Sequence, residues 1–297
     1  RWAGVPVVVQ VHGSGFEQFR SRNRWNRCLV DWGLGRASRV LVLHRAMQRA
    51  IEDWTRGSTV VEVVYNGVVL ADYDAAPDAG EREPIVLFLG EVGQRKGVWD
   101  LAVAAGRVRQ EIGDARFVFA GQGDLVGLSA ALDESGASEC SEVVGWVEEK
   151  ERIALHARAS LLCLPSYAEQ LPMSIIEAMA AGTPVVSTTV AGIPEIVEDE
   201  RSGLLVRPGD VEGLSSALVR LLREPSLRTR LGRAARLRAL ESFDHEVVGQ
   251  QLVACWRSLL LKEGVSGPLE GAEEAPAGPA VVQKVEPVTD SESSQVG

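Results

Sequence analysis

Nine short runs of β-branched and other apolar residues, separated by longer stretches whose apolar residues recur three and four apart, confine this chain to one broad architecture. The runs fall at 6–11, 39–43, 60–64, 85–89, 117–120, 143–144, 161–164, 184–187 and 203–206. They read as continuous Val, Ile and Leu rather than as strict alternation, the pattern of strands covered on both faces. The expected class is therefore α/β, with doubly wound parallel sheets and helices above and below. The longest apolar runs, 5–11 and 159–165, fall far short of the roughly 18 to 20 residues that cross a bilayer.

The 297 residues make room for two domains. Residues 72–84 interrupt the strand and helix rhythm with two prolines, one glycine and five acids, which marks a linker. Six βα units follow it, enough for a complete Rossmann-like domain over 85–243, closed by a helix over 244–262. Only three strands precede it, and half a sheet would leave an open apolar edge, so 1–71 is expected to be part of a first domain whose beginning lies ahead of Arg1. No signal peptide is expected at this start. From Glu263 on, Pro, Gly, Ala, Ser and Glu dominate without period, and 263–297 is expected to be a disordered acidic tail.

Formal charge is −10, of which seven acids against Lys284 in that tail supply −6, leaving −4 for the rest. A nucleic-acid binder is excluded on that balance. One region runs the other way: eight arginines against Asp31 between Arg20 and Arg49. Those arginines suit either a solvated helix face or attraction to anionic lipid head groups or a lipid-diphosphate acceptor. The cysteines at 28, 140, 163 and 255 lie far apart with no C-x-x-C pair. All four are expected to be structural thiols, with no disulfide framework or zinc site, in a cytoplasmic protein.

Ligands of an open parallel sheet sit beyond the carboxyl ends of its strands, so the turns there carry the chemistry. After 85–89 comes Gly90-Glu91-Val92-Gly93-Gln94-Arg95-Lys96-Gly97. Its glycines admit close backbone approach, and two cations at a helix start favour an anion, although a tight turn with a solvated Arg-Lys pair is the plain alternative. After 161–164, Pro172 suits the first turn of a helix that contains Glu177 and stops at Gly182. The free amides near Met173 and Ser174 would form a second anion cradle on the same crevice as Lys96. Glu169 and Glu177, eight positions apart, would stand about 12 Å apart along a helix. Paired-carboxyl hydrolysis needs about 5 Å or under about 10 Å, so an elongated ligand gripped at two places, with a diphosphate between, fits better. A nucleotide-sugar has that shape; ordinary exposed helix acids are the alternative. Gly121-Gln122-Gly123 with Gly127 faintly resembles a dinucleotide fingerprint but reads as a turn, and Asp72-Tyr73-Asp74 lacks a strand leading into it. His12 directly follows 6–11, where a crevice group belongs.

Together these residues resemble the retaining, GT-B fold glycosyltransferases of family 4 (glycosyl transferases group 1) over roughly 5–262. The resemblance is carried by Pro165-Ser166-Tyr167-Ala168-Glu169, by Ser174-Ile175-Ile176-Glu177-Ala178-Met179-Ala180-Ala181-Gly182-Thr183-Pro184, and by Ala191-Gly192-Ile193-Pro194-Glu195-Ile196. Gly203 to Asp210, Val11-His12-Gly13, Asn66-Gly67-Val68 and Phe88-Leu89-Gly90 with Lys96-Gly97 follow in the expected order. It implies two Rossmann-like domains, the first, acceptor-side one only partly present, and transfer of a sugar from a UDP- or GDP-sugar to a glycan or lipid-linked acceptor. No cofactor or metal is implied.

The resemblance makes Lys96 the neutraliser of the donor diphosphate, Glu169 the holder of the sugar hydroxyls and Glu177 the holder of the ribose. His12 would close over the sugar from the other domain. Gly90, Arg95, Gly97, Gly121, Leu171, Pro172, Met173 and Ser174 would line the donor. Glu91 stands where the family commonly carries Arg, with Arg95 as its substitute, and Gln170 stands where Gly is common, narrowing the sugar pocket. A nucleotide-sugar 2-epimerase of the same fold, or an inactive sugar-nucleotide-binding remnant, are the competing functions.

Overall fold

The computed structural model describes residues 5–13 and 15–262; the tail expected at 263–297 lies outside them. Among the described residues there are two parallel sheets. The first is built from β1 (Val8–Val11), β2 (Arg39–Val42) and β3 (Val61–Val63) in the order β1-β2-β3. The second contains β4 (Glu83–Leu89), β5 (Arg116–Ala120), β6 (Ser141–Gly145), β7 (Ala159–Leu164), β8 (Val185–Thr188) and β9 (Gly203–Val206) in the order β6-β5-β4-β7-β8-β9. Each expected run thus overlaps a strand, and β4 begins at Glu83, inside the segment expected to be linker.

The order of the second sheet reverses between β4 and β7. From β4 the chain winds outward through β5 and β6, then crosses back to β7 and winds the other way through β8 and β9. The crevice at such a switch point is where ligands of this class of fold bind. The turn after β4 carries Lys96 and the segment after β7 carries Glu169, so both open onto it.

Helices α1 (Phe16–Ser21), α2 (Arg24–Arg36) and α3 (Arg45–Thr55) belong to the first sheet. Val30, Leu34, Met47 and Ile51 pack there against Val40 and Val42. The second sheet carries α4 (Val98–Glu111), α5 (Leu125–Ser135), α6 (Glu149–Arg158), α7 (Met173–Ala180), the single turn α8 (Ile193–Ile196), α9 (Val211–Arg223) and α10 (Pro225–Ser242). Leu101, Phe88, Phe117 and Phe119, none more than 1% exposed, anchor its core, and each buried side chain of that size stabilises the fold by roughly 1.5–3 kcal/mol. The last helix, α11 (His245–Lys262), returns to the first sheet and covers its other face with Val248, Cys255 and Leu259 against Leu41 and Val64. Cys140, Cys163 and Cys255 are buried as expected, and burial raises the pKa of the Cys163 thiol. Cys28 departs from the expectation of four structural thiols: it is exposed on the outer side of α2, because the opposite face of that helix meets the sheet.

The linker is not a free hinge. Burial lowers the Arg82 guanidinium to about 10, an effect that the charge of Asp78 partly offsets, and it remains a cation at pH 7. It donates to the carbonyl oxygens of Pro77 (2.6 and 2.9 Å), Ala181 (2.6 Å) and His156 (3.0 Å) and to Thr183 Oγ1 (2.6 Å), stitching the linker to the ends of α6 and α7. Arg82→Met leaves those buried acceptors unpaired. It should destabilise the chain by about 3 kcal/mol in urea unfolding, and a loss below about 1 kcal/mol would show that water replaces the guanidinium.

Candidate active site

The loop after β4 reaches the crevice through Gly90. Its amide donates to the Ala120 carbonyl (3.0 Å), and Gly121 in turn donates to Gly145 (2.6 Å), so the turns after β4, β5 and β6 are laid edge to edge. Gly121 has φ +146°, and a Cβ there would overlap the Gly90 carbonyl oxygen, so only glycine allows this approach. Gly127 is explained locally rather than by a dinucleotide site: Asp124 caps α5 by accepting from the Gly127 amide (2.8 Å), and a side chain at 127 would meet that carboxylate. Gly90 and Gly121, with Trp146, Val147 and Arg152, line a cavity of about 280 Å³. The stem of Lys96 passes beside Gly90, with Cε 3.7 Å from the position of its missing Cβ.

Lys96 Nζ donates to Glu169 Oε1 in a close ion pair, and both side chains are largely buried, at 12% and 6% exposure. Ser166 Oγ donates to the same oxygen at 2.9 Å. Arg95 lies 3.8 Å from the other oxygen of Glu169 but pairs more closely with Glu91, at 2.7 Å. The acid at 91 is thereby paired with a cation from within its own turn. Tyr167 ties the two segments together: its amide donates to the Arg95 carbonyl (2.9 Å) and its hydroxyl to Asp100 (2.7 Å), a bond that raises the hydroxyl's pKa.

The helix α7 begins at Met173 with Pro172 as its N-cap and no capping side chain. Among the described residues the Met173 and Ser174 amides make no hydrogen bond, so two donors stand at the crevice with the positive end of the helix dipole behind them. The helix stops where expected: Gly182 donates to Met179 (3.0 Å) and Thr183 to Ala178 (2.8 Å), which closes a Schellman motif.

Neither glutamate is an ordinary exposed helix acid. Glu177 is 6% exposed, with Arg152 Nε 3.1 Å from one oxygen and His156 Nε2 3.5 Å from the other. The Tyr73 ring from the linker stacks edge-on to His156 at 6.1 Å, and burial, reinforced by Glu177, raises the pKa of its hydroxyl. Arg152 therefore connects Glu177 to the cavity at Gly90 and Gly121. His12 stands at the end of β1 with an exposed side chain; partial desolvation lowers its pKa, so the ring is neutral at pH 7. No hydrogen bond joins it to Lys96, Glu169 or Glu177 among the described residues. Of the first domain, it is His44 that makes contact here: its Nε2 lies 2.7 Å from Gln170 Oε1, and both residues are buried. Gln170 is thus turned toward the other domain.

The model for "Glycosyl transferases group 1" matches residues 83–224 and that for "Glycosyl transferase 4-like domain" matches 1–67. A phosphatidyl-myo-inositol mannosyltransferase of Mycobacterium leprae is 32% identical over 264 residues, covering 87% of this chain and 69% of that protein. The chain belongs to the group 1 glycosyltransferases of family 4. Glycogen synthase of Mycobacterium tuberculosis is also 32% identical, over 254 residues, and this family member spans 61% of its length. The fold is GT-B: the Anabaena protein HepE, solved in complex with UDP-glucose, superposes with a TM-score of 0.72 over 85% of this chain and 72% of its own, at 22% identity.

Four residues at the site of this group 1 glycosyltransferase carried no signal in any motif: His44, Arg152, His156 and Gln170 as a partner for His44. Arg152 and His156 are spaced i, i+4 and so share a helix face, which is the one local clue. The pairing of His44 with Gln170 spans 126 positions and has no local trace.

Proposed function

We propose that this chain transfers a hexose from a nucleoside-diphosphate sugar to a glycan or lipid-linked acceptor, with retention at the anomeric carbon and without a metal. The observation that carries this is the buried Lys96–Glu169 pair beside the unbonded amides of Met173 and Ser174. A departing diphosphate gains negative charge as the glycosidic bond breaks, and a fixed cation with two fixed amides stabilises that charge without reorganisation. Glu169, its oxygens already aligned by Ser166, accepts hydrogen bonds from hydroxyls of the transferred sugar. The base occupies the cavity at Gly90, Gly121 and Trp146, and Glu177, held by Arg152, takes the ribose. Neutral His12 covers the sugar from the first domain. The acceptor hydroxyl attacks the anomeric carbon from the side of the leaving diphosphate, which takes its proton as the glycosidic bond breaks.

Calorimetric titration with UDP and with GDP, followed by turnover with the matching UDP- or GDP-hexoses and assignment of the product anomer, tests the proposal. Binding of one nucleotide and an α-product from an α-donor are expected. Binding without turnover points to a remnant, epimerised free sugar to the 2-epimerase, and an inverted product overturns the mechanism.

The acceptor side of the proposal includes contact with an anionic membrane surface. The outward face of α2 presents Trp25 (84% exposed), Leu29 and Trp32 at helical spacing, bordered by Arg22, Arg24 and Arg27, which are exposed and make no ion pair among the described residues. Arg20 and Arg39 of the same basic stretch are instead consumed by Asp31 and Glu62. Interfacial tryptophans with cations of about 1 kcal/mol each favour anionic lipid on the order of a hundredfold over neutral lipid for three arginines. No helix among the described residues is long and apolar enough to cross a membrane. Co-sedimentation should be strong with phosphatidylglycerol vesicles, weak with phosphatidylcholine and reduced at least tenfold by Trp25→Ser with Trp32→Ser. Equal binding to both vesicles, or to neither, removes the membrane contact.

A further inference from the structure

The two domains meet at the turn that opens α3, where His44 sits. His44 caps the helix: its Nδ1 accepts the Met47 amide hydrogen at 3.2 Å. A backbone amide can only donate, so Nδ1 is the acceptor and the ring's single proton sits on Nε2, directed at Gln170 Oε1 2.7 Å away. The donor is 4% exposed and the acceptor residue 8%, so water does not compete for the bond. A second tie runs beside it, where both carboxylate oxygens of Glu195, on α8, accept from the Arg45 amide at 2.9 and 3.0 Å. Gly192 fills the angle between them. A Cβ there would lie 2.5 Å from the Gln170 carbonyl oxygen and 3.0 Å from His44 Cβ, so no side chain can separate the two.

We propose that His44 is a positioning residue of the donor site: by clasping Gln170 across the domain junction it fixes the strap 165–172, which carries Glu169 and leads into α7. The inference rests on the assignment of Glu169 as the sugar-binding acid. The strap has no helix or strand of its own between β7 and α7. Glu169 is anchored from inside its own domain by Lys96 and Ser166, whereas the next residue is anchored from the other domain. Opening the junction therefore costs Gln170 a buried partner at the residue adjoining the sugar-binding carboxylate, and closing it restores both. Aim of the acid and contact between the domains are coupled through one neutral hydrogen bond. His44 touches neither sugar nor diphosphate in this role.

The test separates the clasp from the helix cap. Asparagine caps helices as well as any residue but is too short to span to Gln170, so His44→Asn removes only the clasp. Gln170→Ala removes it from the other side with the cap untouched. In the full chain without ligand, amide hydrogen exchange of 165–172 should rise about three- to tenfold in each variant, the range of one net hydrogen bond. Exchange over 45–55 should stay unchanged, and the double variant should exchange no faster than either single one. KM for the donor should rise by a similar factor with kcat changing less. Unchanged exchange of the strap in Gln170→Ala, or additive effects in the double variant, would overturn the clasp; if His44→Asn frays α3, Gln170→Ala alone decides. Should the wild-type chain bind neither UDP nor GDP, the transferase assignment fails while the exchange measurement still judges the clasp.

Discussion

Lys96→Ala is expected to lower the turnover of sugar transfer by about a hundred- to a thousandfold, the effect of removing one preorganised donor from a developing anion. It is also expected to destabilise the chain by about 3 kcal/mol, because Glu169, 6% exposed, loses the cation that compensates its burial. Ser166 remains as one hydrogen bond to the carboxylate, and Arg95 at 3.8 Å is held back by Glu91. The two losses have different origins and can be separated. Lys96→Met combined with Glu169→Gln removes both charges together, so stability in urea should recover most of the difference while turnover stays at the level of the single variant or below. Recovery of turnover along with stability would mean that the pair serves packing alone and that the diphosphate is held elsewhere.

Gly97→Ala should be strongly damaging to both stability and turnover. Gly97 has φ +68°, where a side chain costs about 1–2 kcal/mol, and its Cβ would overlap the Pro165 carbonyl oxygen. That oxygen is backbone, so either the turn carrying Lys96 or the strap carrying Glu169 has to move. Moving them apart strains the bond from the Tyr167 amide to the Arg95 carbonyl (2.9 Å) that ties strap to turn, and Lys96 and Glu169 lose their alignment. A loss of about 3 kcal/mol or more in stability is expected, with turnover reduced about a hundredfold by misplacement on the scale of an ångström. Gly93→Ala is the control. Its backbone is extended at φ −176° and nothing lies within 4 Å of a Cβ, so it should be neutral within about 0.5 kcal/mol. Equal effects at 93 and 97 would refute the close-approach argument.

The α/β class, the nine strands and the turns that carry Lys96 and Glu169 were legible in the amino-acid order, because each depends on interactions within a few residues. A parallel strand buried on both faces must be continuously apolar, a helix start must expose its amides, and a helix stop at Gly182 needs a residue that tolerates positive φ. Spacing also disfavoured a paired-carboxyl hydrolase. It could not reveal that Glu177 is enclosed by Arg152, His156 and Tyr73, which come from another helix and from the linker.

Composition and periodicity thus determined by themselves what folds, how the elements alternate and which strand ends hold charge. Only the tertiary structure decided which residues face one another: that Lys96 pairs with Glu169, that α11 returns to the first sheet, and that His44, not His12, makes the contact between the domains at Gln170. The reason is physical. Secondary structure and caps follow from contacts local in the chain, whereas partners 73 or 126 positions apart are chosen by strand order and helix packing, which depend on the whole fold at once.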